Sequence, residues 1–210
     1  MSDTIKNLKW RYAVKRFDDK RELETEKIDL LKKAFNLTAT SYGLQPIKLV
    51  VLSDKGLQAS LVEHSYNQPQ VAQASHLLIL CTETNIDADY IGSYFNRIKQ
   101  VRGTSDEILD PFKKSLTSDF SSKQPEEIFQ WAKNQAYLAM GNLLTICAME
   151  RIDSCPMEGF IAAEYDRILG LADRGLRSVL VLPVGYRAED DMFSGFKKVR
   201  KPIADSVIDL

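Results

Sequence analysis

The sequence is poor in the residues that most often announce chemistry. It has two histidines and three cysteines in 210 residues. His64 and His76 stand apart, and a zinc site needs more ligands at tighter spacing. Cys81, Cys147 and Cys155 are odd in number and sit in apolar or mixed surroundings, which predicts reduced thiols rather than a disulfide framework. Neither sign of charge is in excess. The 28 Lys and Arg against 29 Asp and Glu leave a net charge of −1, where a duplex-DNA binder would be basic. No apolar run reaches membrane-spanning length. The opening residues, Met1 to Trp10, lack the apolar core of a signal peptide. These absences predict a cytoplasmic chain with no nucleic-acid and no membrane partner. The Gly-x-x-x-x-Gly-Lys-Ser/Thr phosphate loop, the Gly-x-Gly-x-x-Gly fingerprint and the Gly-x-Ser-x-Gly nucleophile elbow are missing too. That counts against kinase, Rossmann dehydrogenase and α/β-hydrolase readings.

What is present is ordinary globular stuff: 44% hydrophobic and 27% charged residues, enough for a sizeable core. The length suits one domain over residues 1–210. Ile5 and Leu8 mark a short first helix, and Thr25 precedes a second carrying Ile28, Leu31, Ala34 and Phe35. Ile47 to Leu52 and His76 to Cys81 read as strands. Leu57 to His64 reads as helix, and Asp87 or Asp89 opens another through Ile91, Phe95 and Ile98. Residues 103–123 are polar and read as an excursion or lid, with Phe112 and Phe120 as aromatics that would cap a pocket. Pro125-Glu126-Glu127 starts a long helix to Glu150. Its second half is apolar nearly all round, which predicts burial in the core or at a subunit interface. Ile161 to Leu169 is a further helix, and Ser178 to Leu182 a third strand stopped by Pro183. The tail Ile203 to Leu210 reads as an extended arm. Strands interleaved with helices indicate an α+β or α/β sandwich on a small sheet.

Two basic clusters stand out. Arg11-Tyr12-Ala13-Val14-Lys15-Arg16-Phe17 would put Arg11 and Lys15 on one face if helical, and in a strand Lys198 and Arg200 would point the same way. Such pairs can clamp a phosphate, because a guanidinium binds it bidentately and an ammonium adds a point charge. On charge alone they read rather as two solvated surface stretches, since surface Lys and Arg are common. Cys155-Pro156-Met157-Glu158-Gly159-Phe160 is a turn able to aim backbone N–H groups at a planar ligand, or a plain connection. Thr38 to Pro46 is a hydroxyl-rich loop, and Asn67-Gln68-Pro69-Gln70 offers amides that donate and accept.

Taken in order, these segments resemble the nitroreductase family of FMN-dependent oxidoreductases. The matching residues are Arg11, Lys15 and Phe17; Thr40, Ser41, Gln45 and Pro46; Asn67 with Ala74-Ser75-His76; Gly141-Asn142 followed by Pro156, Glu158, Gly159 and Phe160; Pro183 to Gly185; and Lys198, Arg200 and Pro202. The resemblance spans essentially the whole chain. It implies an α+β three-layer sandwich with a small, mostly antiparallel sheet, assembled as an obligate homodimer with an exchanged C-terminal arm.

The resemblance also implies roles. Arg11, Lys198 and Arg200 would hold the FMN phosphate. Lys15 would face the N1/O2 edge of the ring system, and backbone groups around Pro156, Met157, Glu158 and Gly159 its N5/O4 edge. Tyr12, Ala13, Asn67 and Gln70 would complete the contacts, with Thr40, Ser41, Gly43 and Gln45 coming from the partner subunit. NADH or NADPH would reduce the flavin, which would pass the hydride by a ping-pong mechanism to a nitroaromatic, quinone or related small acceptor. Three positions depart from the family pattern: Ala13 replaces a frequent serine, Gln70 a lysine found in some members, and Gly43 an amide-bearing residue. Other outcomes on this scaffold are a flavin-binding regulatory protein without turnover, a dihydropteridine reductase and a dehalogenase.

Overall fold

A computed structural model describes residues 2–210. In chain order the helices and strands are α1 (Asp3–Trp10), α2 (Thr25–Asn36), β1 (Ile47–Leu52), α3 (Lys55–Ser60), α4 (Gln70–Gln73), β2 (His76–Glu83), α5 (Ala88–Arg102), α6 (Asp106–Ser122), α7 (Pro125–Met149), β3 (Asp153–Ser154), α8 (Ala162–Ile168) and β4 (Leu176–Gly185). The strands form one sheet in the order β1-β2-β4-β3, with every neighbouring pair antiparallel.

Strand β2 lies at the centre and is apolar on both sides. Its alternation sends Leu77, Ile79 and Cys81 to one face and Leu78 and Leu80 to the other. The first face packs on Val14, Phe17, Leu61, Val71 and Tyr165. The second packs on Ile28 and Leu31 of α2 and on Ala136, Ala139, Met140, Leu143 and Cys147 of α7. Each fully buried aliphatic side chain here contributes roughly 1.5–3 kcal/mol. A separate cluster of Ile91, Phe95, Leu116 and Phe120 joins α5 to α6. The result is helices on both faces of a small antiparallel sheet, as the family resemblance implies.

Several local expectations are corrected. Arg11 to Phe17 is not helical. Val14 N donates to Ser154 O at 3.2 Å and Asp18 N to Tyr186 O at 2.8 Å, so the segment runs extended beside β3 with Val14 and Phe17 turned into the core. The 103–123 stretch is mostly the helix α6. Leu116 and Phe120, one turn apart, anchor it against α5 despite Pro111 in its interior. Phe120 is 4% exposed and packed in the cluster between α5 and α6, whereas Phe112 is 46% exposed. Leu57 to His64 divides into the end of α3 and a 3₁₀ turn at Glu63–Ser65. Pro183 does not stop its strand, because β4 continues through it to Gly185. The tail is exposed and carries a 3₁₀ turn at Ile203–Asp205.

Helix α7 starts as its sequence demands, with Gln124 N donating to Glu127 Oε2 at 2.8 Å ahead of Pro125. It is not covered all round, however. Tyr137, Leu138, Gly141 and Met149 form an exposed stripe at helical spacing.

All three cysteines are free and buried. Burial pushes the Cys81 and Cys147 thiols up to about 12 and raises Cys155 as well. A thiolate-selective reagent such as DTNB at mildly alkaline pH is therefore expected to titrate none of them in the folded protein and all three in denaturant. Rapid labelling of the native chain would contradict this burial.

Candidate functional site

The two basic segments meet. Arg11 sits where α1 ends, its N–H satisfied by Asn7 O at 3.1 Å. Lys198 Nζ donates to the Arg11 carbonyl, which closes the C-terminal segment onto the N-terminal one. The guanidinium of Arg11 is half-buried, and its Nε is buried without a partner. Burial first, and then the positive charge of Arg200, push Arg11 below its ordinary range. Burial also lowers Lys198, with Arg11, Arg200 and Arg187 adding repulsion. Among the described residues none of Arg11, Lys198 and Arg200 lies within ion-pair distance of a carboxylate. Arg187 is different. Its Nε donates to buried Asp153 at 2.8 Å, and it stacks over the Trp10 and Tyr12 rings. Three cations gathered without an acid repel one another, and an anion such as a phosphate relieves that repulsion.

A second group adjoins Cys155. Lys15 Nζ and Gln70 Nε2 each lie 3.9 Å from its Sγ. Gln70 donates to Gln68 Oε1 at 3.0 Å, and Gln68 donates to Gly159 O at 2.9 Å, which links the amide segment to the Pro156–Gly159 turn. Among the described residues the N–H groups of Glu158 and Gly159 have no protein acceptor. Met157 is committed to the fold: its N–H and carbonyl pair with Val181 and its side chain is buried. Asn67 follows Tyr66, and both hold left-handed backbone, φ 55° and 53°. Each such non-glycine residue costs on the order of 1 kcal/mol. The Asn67 side chain is exposed and bonds no protein group among the described residues.

The hydroxyl loop lies elsewhere within the chain. Thr40, Gly43 and Gln45 line a cavity of about 720 Å³ with Phe35, Tyr90 and Tyr94, and no residue of the basic cluster borders it. Ser41 N donates to Gln135 Oε1 of α7 at 2.9 Å, and Gln45 N to Thr40 Oγ1 at 3.0 Å. Two residues along α7, Tyr137 Oη donates to Glu158 Oε1 at 2.9 Å. Positions two apart on a helix face away from each other, roughly 200° around the axis. Ser41 therefore meets one flank of α7 and Glu158 the other, and within one copy of the chain the cavity lined by Thr40, Gly43 and Gln45 stands apart from the basic cluster.

Gly43 explains its own departure from the family pattern. Its φ is +73°, and a Cβ there would stand 2.5 Å from the Tyr94 hydroxyl. Gly43→Ala is expected to destabilise the fold by about 1–3 kcal/mol in urea unfolding. An unchanged midpoint would show that the loop and Tyr94 yield without strain.

The structure adds residues that sequence reasoning did not select. Arg187 pairs with Asp153 beneath Tyr12, and Asp191 is a buried carboxylate beside the N-terminal segment. Neither carries a local signal, since Asp191 ends an acidic run, Glu189-Asp190-Asp191, that reads as solvated surface.

Comparison with known proteins bears on the family and the fold. Residues 8–186 match the model of the nitroreductase family. The chain is 30% identical over 210 residues to YfkO of Bacillus subtilis, covering 94% of this chain and 93% of that one. It is 26% identical over 212 residues to an oxygen-insensitive NAD(P)H nitroreductase of Salmonella typhimurium, covering 95% and 96%. It superposes with a TM-score of 0.81 on an Exiguobacterium sibiricum protein solved in complex with FMN, at 17% identity, covering 99% of this chain and 97% of that one.

Proposed function

The chain belongs to the nitroreductase family, and from that premise we propose that it is an FMN-dependent NAD(P)H oxidoreductase that reduces nitroaromatics, quinones or related small acceptors. The observation that carries the reading is the basic cluster. Arg11, Lys198 and Arg200 converge without an acid, and the buried Arg11 Nε lacks an acceptor. Those residues fit the terminal phosphate of FMN, which would complete the orphaned donor and offset the repulsion.

FMN, when bound, supplies the hydride chemistry between a reduced nicotinamide and an acceptor. The chain supplies position and charge. Lys15 presents one ammonium toward the ring, and Gln70 a neutral amide where some relatives carry a lysine. One positive charge fewer gives weaker support for negative charge on the ring. The free N–H groups of Glu158 and Gly159 provide donors on a rigid turn fixed by Pro156. Asn67 adds an unengaged amide, and Ala13 leaves room where a hydroxyl is frequent. Tyr12 supports the site from below through its ring and hydroxyl.

Thr40, Ser41, Gly43 and Gln45 reach a flavin only from a second copy of the chain. The exposed stripe of α7 and the uncovered apolar tail residues Val199, Ile203 and Ile208 support a homodimer with an exchanged arm. Apoprotein mixed with FMN is expected to retain about one flavin per chain through gel filtration. A colourless protein that takes up no FMN would contradict the reading.

A further inference from the structure

Asp191 is the most heavily bonded buried acid in the chain's basic region, at 3% exposed. Its Oδ2 accepts from Lys15 N at 2.9 Å, Tyr12 Oη at 3.0 Å and Arg16 N at 3.2 Å. Its Oδ1 accepts from Phe193 N at 3.1 Å, within the turn Met192–Gly195. That turn leads into Lys198 and Arg200. The carboxylate therefore grips the N-terminal segment at Tyr12, Lys15 and Arg16, just after Arg11, and with its other oxygen the approach to the C-terminal cations. Burial would raise this carboxyl, but the hydrogen bonds from Lys15, Phe193, Arg16 and Tyr12 hold it below its ordinary value, so it stays charged at neutral pH.

We propose that Asp191 is a positioning residue that holds the two halves of the basic cluster in register for the phosphate of FMN. The proposal rests on the FMN reading above. It makes a counter-intuitive prediction of sign. A negative charge beside a phosphate site opposes the phosphate, so removing it by Asp191→Asn would tighten FMN binding if charge alone mattered. An asparagine offers only one oxygen to four donors and sets its own N–H groups against one side of them. If position matters, the same substitution loosens the cluster and weakens FMN.

The test compares FMN and riboflavin binding, by flavin fluorescence quenching on titration with apoprotein, for the wild type and Asp191→Asn. Riboflavin has the ring and side chain without the phosphate. The expected result is a loss of at least about tenfold in FMN affinity and a much smaller loss for riboflavin, so that the preference for FMN falls. Unchanged or tighter FMN binding would overturn the proposal, and so would equal losses for both ligands, the mark of general loosening. If Asp191→Asn does not fold, Tyr12→Phe removes one donor and leaves the carboxylate. It is expected to lower the FMN preference in the same direction by a few-fold, and an unchanged preference there would overturn the proposal equally. Wild-type protein that binds neither ligand would instead defeat the FMN reading itself.

Discussion

Arg11→Ala is expected to weaken FMN binding about 10- to 150-fold while leaving the apoprotein nearly as stable as the wild type. The two halves of this result have one cause. In the free chain Arg11 faces Arg200 and Lys198 with no acid, and its buried Nε bonds nothing. Removing it therefore relieves repulsion and an unsatisfied donor, which offsets the packing lost with its stem. With the phosphate in place the same side chain makes charge-assisted hydrogen bonds worth ~1.5–3 kcal/mol, which is that range of affinity. Arg200→Ala is expected to act in the same direction but less, because Arg200 is exposed and water can take its place at the phosphate. Titration of FMN with each apoprotein checks the ligand half and urea unfolding the stability half. A large stability loss with unchanged FMN affinity would make Arg11 a structural residue.

Leu138→Glu is expected to convert a dimer to monomers and to remove most FMN retention at once. Leu138 is 56% exposed in the single chain, in mid-α7, on the stripe with Tyr137, Gly141 and Met149. A carboxylate buried there without a partner costs about 3–5 kcal/mol, enough to raise the dimer dissociation constant by more than a hundredfold. Loss of the partner also removes Thr40, Ser41, Gly43 and Gln45 from the flavin, since within one copy their cavity is not bordered by the basic cluster. Light scattering after gel filtration reads the assembly and absorbance of the same peak reads the flavin. A variant that stays dimeric, or a monomer that keeps its FMN, would contradict the shared-site arrangement.

The elements legible in the sequence are those with local causes. Asp87 caps α5 by accepting from Tyr90 N, Pro125 opens α7, and β1 and β2 are mostly apolar runs rich in aliphatic residues. The elements that escaped depend on distant partners. Arg11 to Phe17 is extended because Ser154 and Tyr186 offer it acceptors, and β4 runs through Pro183 because β2 pairs with it at Leu77. Helix α6 was hidden by Pro111 and a polar composition, while Leu116 and Phe120 decide it through contacts with α5. The site divides the same way. Arg11, Lys15, Lys198 and Arg200 were visible as residue types, but their convergence is a long-range fact. Asp191, which joins them, reads as surface until its four donors are seen.

The most direct measurement is anaerobic mixing of the FMN-loaded protein with NADH and, separately, with NADPH, followed at the long-wavelength flavin absorbance band. The account predicts that at least one nicotinamide bleaches the band within turnover time and that a nitroaromatic or quinone then restores it. A band left oxidised by both would contradict an oxidoreductase and leave the chain a protein that only holds flavin.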